Sequence, residues 1–295
     1  MAAAHSVCDP ASDWGQNVVG ARRTLTKKMP THSYSDVLER IQAAIEAAGP
    51  IFARFTPGEI EAEYKVGHDP VTEADRALDV VLRENLLQPG EGWLSEESAD
   101  DLSRLDREWV WVVDPLDGTR EFVAGIPEFC VSIAMVRQGQ PVAGGIFNPA
   151  TDEVFLGALD SGLTYNGQPA RASQRKALEG ATVLASRSET KRGEWQAFED
   201  APFKIQPMGS VAYKLARVSA GLADLTFTLC PKHEWDVAGG AALVGSGGGF
   251  VQTLDSLFTG NRKHPLITGL IAGGPHLKSE LLEFLAPHLQ PASKK

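Results

Sequence analysis

Trp109-Val110-Trp111-Val112-Val113-Asp114-Pro115-Leu116-Asp117-Gly118-Thr119-Arg120-Glu121-Phe122 is the stretch that decides how this chain is read. Its apolar, β-branched and aromatic start predicts a strand over Val110–Val113. The run ends in two aspartates three residues apart, followed at once by Gly-Thr. A strand here delivers Asp114 at its C-terminal end. Pro115 then turns the chain, Asp117 comes back toward Asp114, and Gly118-Thr119 can open a helix. Hard cations such as Mg²⁺ take oxygen ligands from one or two carboxylates together with water and phosphate. A helix N-terminus offers free N–H groups to an anion. Asp, Pro and Gly are also ordinary turn formers. Taken alone, the segment leaves a plain turn and a metal-assisted phosphate site both open.

The chain has 295 residues, 43% hydrophobic and 22% charged, which is ordinary for a globular protein with a sizeable core. A formal net charge of −10 argues against a nucleic-acid polymer as partner. No apolar stretch approaches the ~20 residues of a membrane span. Cys8, Cys130 and Cys230 are too sparse for a disulfide framework or a zinc pattern and suit a reducing, cytoplasmic compartment. Residues 1–33 carry Arg22, Arg23, Lys27 and Lys28 against Asp9 and Asp13, with no signal-type apolar core and no clear amphipathic helix. They read as a disordered leader, with Met29 as an alternative start.

Apolar spacing predicts helices over Ser35–Phe55, with Pro50 set to kink or end the helix near Gly49, and over Thr72–Leu87, capped by Thr72. Strands are expected at Gly92–Ser95, Val110–Val113, Phe129–Val136, Val142–Phe147, Glu153–Ala158 and Leu163–Tyr165. Beyond about residue 180, strands and helices alternate. Strands fall at Thr182–Ala185, Asp224–Thr228, Phe250–Thr253 and Leu266–Ala272. Helices fall at Thr190–Phe198, Val211–Ala220, Trp235–Val244 and His276–Leu285. This predicts an N-terminal α+β domain over 34–180, holding the metal site, and a C-terminal α/β domain over 181–290. Gly245–Gly249 reads as a glycine-rich turn. It lacks the lysine of a phosphate-binding loop.

Four places supply the acids of a two-metal site: Glu96-Glu97 after a short strand, Asp114, Asp117, and Asp236 in Glu234-Trp235-Asp236, which opens a helix. In an extended segment successive side chains face opposite ways, so one of the two glutamates can face a cleft. An aspartate in a first helical turn is also simply favourable to the helix dipole.

The ordered set Val71-Thr72-Glu73-Ala74-Asp75, Glu96-Glu97-Ser98, Asp114-Pro115-Leu116-Asp117-Gly118-Thr119 and Trp235-Asp236 resembles the inositol monophosphatase superfamily over roughly residues 34–287. These are Mg²⁺-dependent, lithium-sensitive phosphomonoesterases. The resemblance implies a layered α/β/α/β/α sandwich of the inositol monophosphatase / fructose-1,6-bisphosphatase type, two or three Mg²⁺ ions and a possible homodimer. It implies Glu96, Asp114, the Leu116 carbonyl, Asp117 and Asp236 as metal ligands, with Asp114 bridging. Asp75 and Thr119 would orient the attacking water with help from Glu96. Gly118 and Thr119 N–H groups would cradle the phosphate, beside Asp117 and Asp236. Lys65 sits, with a one-residue offset in spacing, where the family often carries a lysine in a mobile loop.

Within the superfamily, inositol-phosphate enzymes usually place a glutamate seven residues before the Trp-Asp aspartate, and Leu229 stands there. Arg120-Glu121-Phe122, Glu128-Phe129 and Pro231 with Glu234-Trp235-Asp236 resemble the 3′(2′),5′-bisphosphate nucleotidase branch. The Gly209-Ser210 to Gly221 spacing and Asn148–Glu153 resemble the inositol branch. The expected substrate is therefore adenosine 3′,5′-bisphosphate. Inositol 1-phosphate is the alternative, followed by histidinol phosphate or a non-catalytic interaction role. Arg187 and Lys214 either contact a second phosphate or are solvated surface charges. Trp235 is expected to be a packing anchor.

Overall fold

The computed structural model describes residues 33–64 and 70–289. The leader (Ser33 apart), Met29, Cys8 and Lys65 lie outside the described residues. In chain order the elements begin with α1 (Tyr34–Phe52), β1 (Glu63–Tyr64), β2 (Pro70–Val71) and α2 (Glu73–Leu86). Next come β3 (Gly92–Ser95), β4 (Trp109–Asp117), α3 (Thr119–Val123), β5 (Cys130–Arg137), β6 (Gln140–Asn148) and β7 (Glu153–Ala158). β8 (Gly162–Tyr165), β9 (Gln168–Ala170), β10 (Thr182–Ser186), α4 (Arg187–Lys191), β11 (Lys204–Met208) and α5 (Val211–Ser219) follow. The remainder is β12 (Leu225–Thr228), β13 (Lys232–His233), α6 (Glu234–Ser246), β14 (Phe250–Gln252), β15 (Leu266–Ile267), β16 (Leu270–Gly273) and α7 (Lys278–Leu289).

β4 explains the layering. Trp109, Trp111 and Val113 enter one apolar cluster with the α1 and α2 stripe of Val37, Ile41, Ala44, Leu78 and Leu82, while Val110 and Val112 enter a second cluster with α5 and α6. A strand covered on both faces is apolar at every position, which is why Trp109–Val113 shows no alternation. Seven strands in the order β3-β4-β5-β6-β7-β8-β9 make the first sheet, in which only β3–β4 is parallel. The second sheet runs β11-β10-β12-β16-β14. A third cluster packs its far face, through Val183, Ala185 and Phe227, on Leu277, Leu281 and Leu285 at the C-terminal helix. The stack is thus α1/α2, seven strands, α5/α6, five strands, α7, the α/β/α/β/α sandwich expected.

The middle layer sets the tightest steric demands. α6 is buried all round, so small residues let it fit between two neighbours. A Cβ on Gly239 would lie 2.6 Å from Ser132 Oγ, and one on Gly240 would collide with Leu215 of α5.

Several elements differ from the sequence expectation for local reasons. α1 runs through Pro50 to Phe52 instead of ending near Gly49, and Pro50 sits in its last turn. Thr190–Phe198 is a short α4 and a separate 3₁₀ turn at Gln196–Phe198. Leu266–Ala272 breaks at Thr268-Gly269 into β15, which pairs with β13, and β16, which enters the second sheet. β11 contains Pro207, which demotes it as a strand in the sequence; it lies at the sheet edge, where a missing N–H is tolerated. The second sheet is mixed: β10 is parallel to β11 and β12, whereas β16 is antiparallel to β12 and β14. Gly247 to Gly249 make the turn from α6 into β14. Among the described residues, no helix is long and apolar enough to cross a membrane. Cys130 and Cys230 are both free.

Candidate active site

The chain does not turn at Pro115. β4 continues to Asp117 with a bulge: Asp114 pairs with Ser132 and Asp117 with Cys130, so three steps on β4 match two on β5. Residues three apart on a regular strand face opposite ways. One extra residue restores the parity, and Asp114 and Asp117 both line one cleft of about 470 Å³. Gly118 then ends the strand at φ +97°, where a Cβ would lie 2.7 Å from the Glu128 carbonyl oxygen. Only glycine fits there without strain.

Glu96 follows β3 and Asp236 sits in the first turn of α6. Ligand atoms of Glu96, Asp114 and Asp236 lie within 4.8 Å of one another. Asp114 Oδ1 accepts from Leu116 N at 3.0 Å, and Asp236 Oδ2 accepts from His233 N at 3.0 Å. Asp117 stands at the edge of this group. Its Oδ2 accepts from Ser210 Oγ and Ala212 N, both at 2.6 Å, at the start of α5. Asp75 is not among the residues lining the cleft and meets them through Thr119. Its Oδ2 accepts from Thr72 N at 2.7 Å and Thr72 Oγ1 at 2.6 Å, closing a capping box on α2. Its Oδ1 faces Thr119 Oγ1 at 3.1 Å, and the same hydroxyl reaches the Leu116 carbonyl at 2.9 Å.

The electrostatics are those of a cation site. Burial, then repulsion from Glu96, Asp117 and Asp236, holds the Asp114 carboxyl well above the usual carboxylate range. Burial and the Asp117 and Glu96 charges do the same to Asp236. Burial raises Asp117 against the opposing bonds from Ser210 and Ala212, and raises Asp75 against those from Thr72. Three helix starts also reach the cleft, with Gly118 and Thr119 of α3, Ser210 and Val211 of α5, and Trp235 and Asp236 of α6 among its lining. Their N-terminal dipole ends favour an anion beside the carboxylates.

The basic residues are placed less uniformly. Arg187 lines the cleft with its guanidinium on Glu128, through two N–H groups at 2.5–3.0 Å, and Glu128 also accepts from Gly209 N at 2.6 Å. Lys214 is 4% exposed, which corrects its reading as a surface charge. Its Nζ donates to the Ser210 carbonyl at 2.8 Å and the Met208 carbonyl at 3.4 Å. Burial pulls its pKa down. Lys232, missed in the sequence, lines the cleft with Nζ 3.0 Å from the buried Glu189. Ser210 was also missed as a site residue: it caps α5 at φ +53° and donates to Asp117. A serine ahead of an amphipathic helix is the signal that could have found it. Trp235 packs on the central core, stacks on His233 at 4.6 Å and also lines the cleft, so it is more than an anchor. Leu229 is half-buried and packs against the third apolar cluster.

Residues 33–293 match the inositol monophosphatase family. This chain is a member of that family. It is 33% identical over 264 residues to an inositol-1-monophosphatase of Rhizobium meliloti (strain 1021), covering 85% of this chain and 96% of the relative. It is 32% identical over 268 residues to Nus factor SuhB of Escherichia coli (strain K12), covering 86% and 97%. The structure of inositol monophosphatase from Anabaena (Nostoc) sp. PCC 7120 superposes with a TM-score of 0.72 at 28% identity, over 86% of this chain and 96% of that one. Inositol monophosphatase family proteins are phosphatases and are Mg²⁺-dependent in general. The acid group here suits that ion, since it offers hard oxygen donors held in a buried place that repels its own charge.

Proposed function

We propose that this protein hydrolyses a phosphomonoester that carries a second anionic group, adenosine 3′,5′-bisphosphate in the first place. Lys214 carries this reading. It is a buried ammonium at the cleft whose hydrogen-bond partners are two carbonyl oxygens. Its nearest opposite charges, Asp117 first and then Glu189 and Glu121, offset the cost of burial only in part, since its pKa stays lowered, and a substrate anion would add to that compensation. Leu229 supports the reading from the other side: at the position where a polyol enzyme would use an acceptor, the chain carries a half-buried apolar side chain packed against the third apolar cluster.

In this reading Glu96, Asp114 and Asp236, with Asp117 and the Leu116 carbonyl at the margin, hold Mg²⁺. Bound Mg²⁺ neutralises phosphoryl oxygens and acidifies water. The chain's own part is orientation. The Thr119 hydroxyl has one proton and two acceptors, Asp75 Oδ1 and the Leu116 carbonyl. Once the Leu116 carbonyl is engaged elsewhere, Thr119 donates to Asp75 and turns a lone pair to the attacking water. Asp75 is fixed for this by its two bonds from Thr72. Gly118 and Thr119 N–H groups face the transferred phosphate, and Lys214, with Lys232 in the same cleft lining, faces the second anion.

A second reading is inositol 1-phosphate hydrolysis, favoured by the name of the Rhizobium meliloti relative. A non-catalytic role draws only on the name Nus factor of the Escherichia coli relative, and the presence of Glu96, Asp114, Asp117 and Asp236 in the chain weighs against it. Phosphate release from adenosine 3′,5′-bisphosphate and inositol 1-phosphate, each with Mg²⁺ and with EDTA, tests the choice. A Mg²⁺-dependent preference for the nucleotide is expected. A preference for inositol 1-phosphate would leave the acid site standing and overturn the role of Lys214.

A further inference from the structure

α2 carries a second buried carboxylate one turn after Asp75. Asp79 is 8% exposed, and among the described residues its polar partners are two serine hydroxyls. Ser95 Oγ donates to Asp79 Oδ1 at 2.5 Å and Ser98 Oγ donates to Asp79 Oδ2 at 2.6 Å. Those serines bracket Glu96-Glu97. The bracket is reinforced from within, because Ser95 Oγ also accepts from Glu97 N at 3.3 Å. On the far side Glu96 N donates to the Val113 carbonyl, one residue before Asp114, at 3.4 Å. The segment that presents Glu96 has otherwise left the sheet, since β3 ends at Ser95. Two short bonds to one anionic acceptor are the strong kind. They anchor this segment to the same helix face that, through Asp75, positions Thr119.

We propose that Asp79 is a positioning residue. It holds the Ser95–Ser98 segment so that Glu96 meets Asp114 and Asp236 in a geometry ready for a metal ion. α2 thereby sets both the hydroxyl at Thr119 and the acid at Glu96 from residues i and i+4 of one face. Outer groups that orient a metal ligand typically govern affinity by about 10–100-fold. This inference rests on the reading of Glu96 as a metal ligand.

The test is calorimetric titration of the folded protein with Mg²⁺ alone, on wild type, Asp79→Ala, a Ser95→Ala/Ser98→Ala double variant, their combination, and Glu96→Ala. Thermal unfolding is recorded in EDTA for each. The expected result is Mg²⁺ binding weakened by about 10-fold or more in Asp79→Ala, with an equal loss in the serine double variant and no further loss when the two are combined. Asp79→Asn, which can still accept one serine and donate to the other, is expected to recover part of the affinity. If Asp79→Ala lowers stability but binds Mg²⁺ as tightly as wild type while Glu96→Ala does not, Asp79 is a structural residue and the proposal fails. If Glu96→Ala itself binds Mg²⁺ normally, the assignment of the acid site fails first. Where Asp79→Ala does not fold, the serine variant decides on the same criterion.

Discussion

Acidic and basic side chains lining the same cleft are buried in different ways. Glu96, Asp114 and Asp236 converge within 4.8 Å, and burial with mutual repulsion holds Asp114 and Asp236 above their ordinary range. On the basic side Arg187 rests on Glu128 and Lys232 on Glu189. Lys214 alone of the three is held by carbonyl oxygens. The acids are thus mainly repelled by one another, with only the Lys214 charge opposing this at Asp117 and the Lys232 charge at Asp236, whereas Arg187 and Lys232 are each paired with a carboxylate. In the function proposed above, discrimination among phosphate esters falls to Lys214, whose hydrogen bonds go to carbonyl oxygens and not to a carboxylate.

The largest expected effect breaks the acid side. Asp114→Asn keeps an oxygen to accept from Leu116 N but removes the charge. Turnover should fall by more than the roughly 100-fold that loss of an orienting partner can cost. Thermal stability in EDTA at neutral pH should hold or rise, because a buried repulsion is gone. Phosphate release and a melting curve check both, and normal turnover in this variant would sink the acid site.

Next is the coupling of acid burial to pH. The raised carboxyls of Asp75, Asp114, Asp117 and Asp236 bind protons more tightly folded than unfolded. Where the folded state holds more protons, stability falls as pH rises. The metal-free protein should thus lose stability on going from the usual carboxylate range up through the elevated folded values. Mg²⁺ should reverse this at neutral pH. At 100 times its Kd a ligand stabilises by about 2.7 kcal/mol, which for a chain of this size is roughly 5–10 °C in Tm. Melting at pH 5 and pH 7.5, in EDTA and in Mg²⁺, reads it. Stability of the metal-free protein that climbs with pH over that span would show the acids to be compensated within the chain.

A smaller and more selective effect sharpens the basic side. Lys214→Met should raise KM for adenosine 3′,5′-bisphosphate by roughly 30-fold or more, the lower range for losing one partner of a buried charge pair. Turnover of inositol 1-phosphate, if measurable, should change little. Stability should change little, since relief of the desolvated ammonium opposes the loss of its bonds to the Ser210 and Met208 carbonyls and of its attraction to Asp117. Equal losses on both substrates would place Lys214 in the general architecture and remove it from selection.

The local chemistry of this protein was legible in its sequence. Thr72 as a cap, Asp75 in its first turn, the apolar run into Asp114 and the glycine after Asp117 are short-range features, each governed by backbone sterics or hydrogen bonding within a few residues. Strand and helix periodicity gave the run of elements, and the α/β/α/β/α order came from the family resemblance. The bulge that turns Asp114 and Asp117 to one side was not legible, because it depends on register with Ser132 and Cys130 of β5. Nor was the burial of Lys214, whose surroundings come from α5 packing between two sheets, nor the grip of Asp79 on Ser95 and Ser98 across 16 and 19 residues. Residue type and spacing settle which groups are available for metal and phosphate. Which of them meet, and which charges are left uncompensated, depends on contacts between segments distant in sequence, and only tertiary packing decides those.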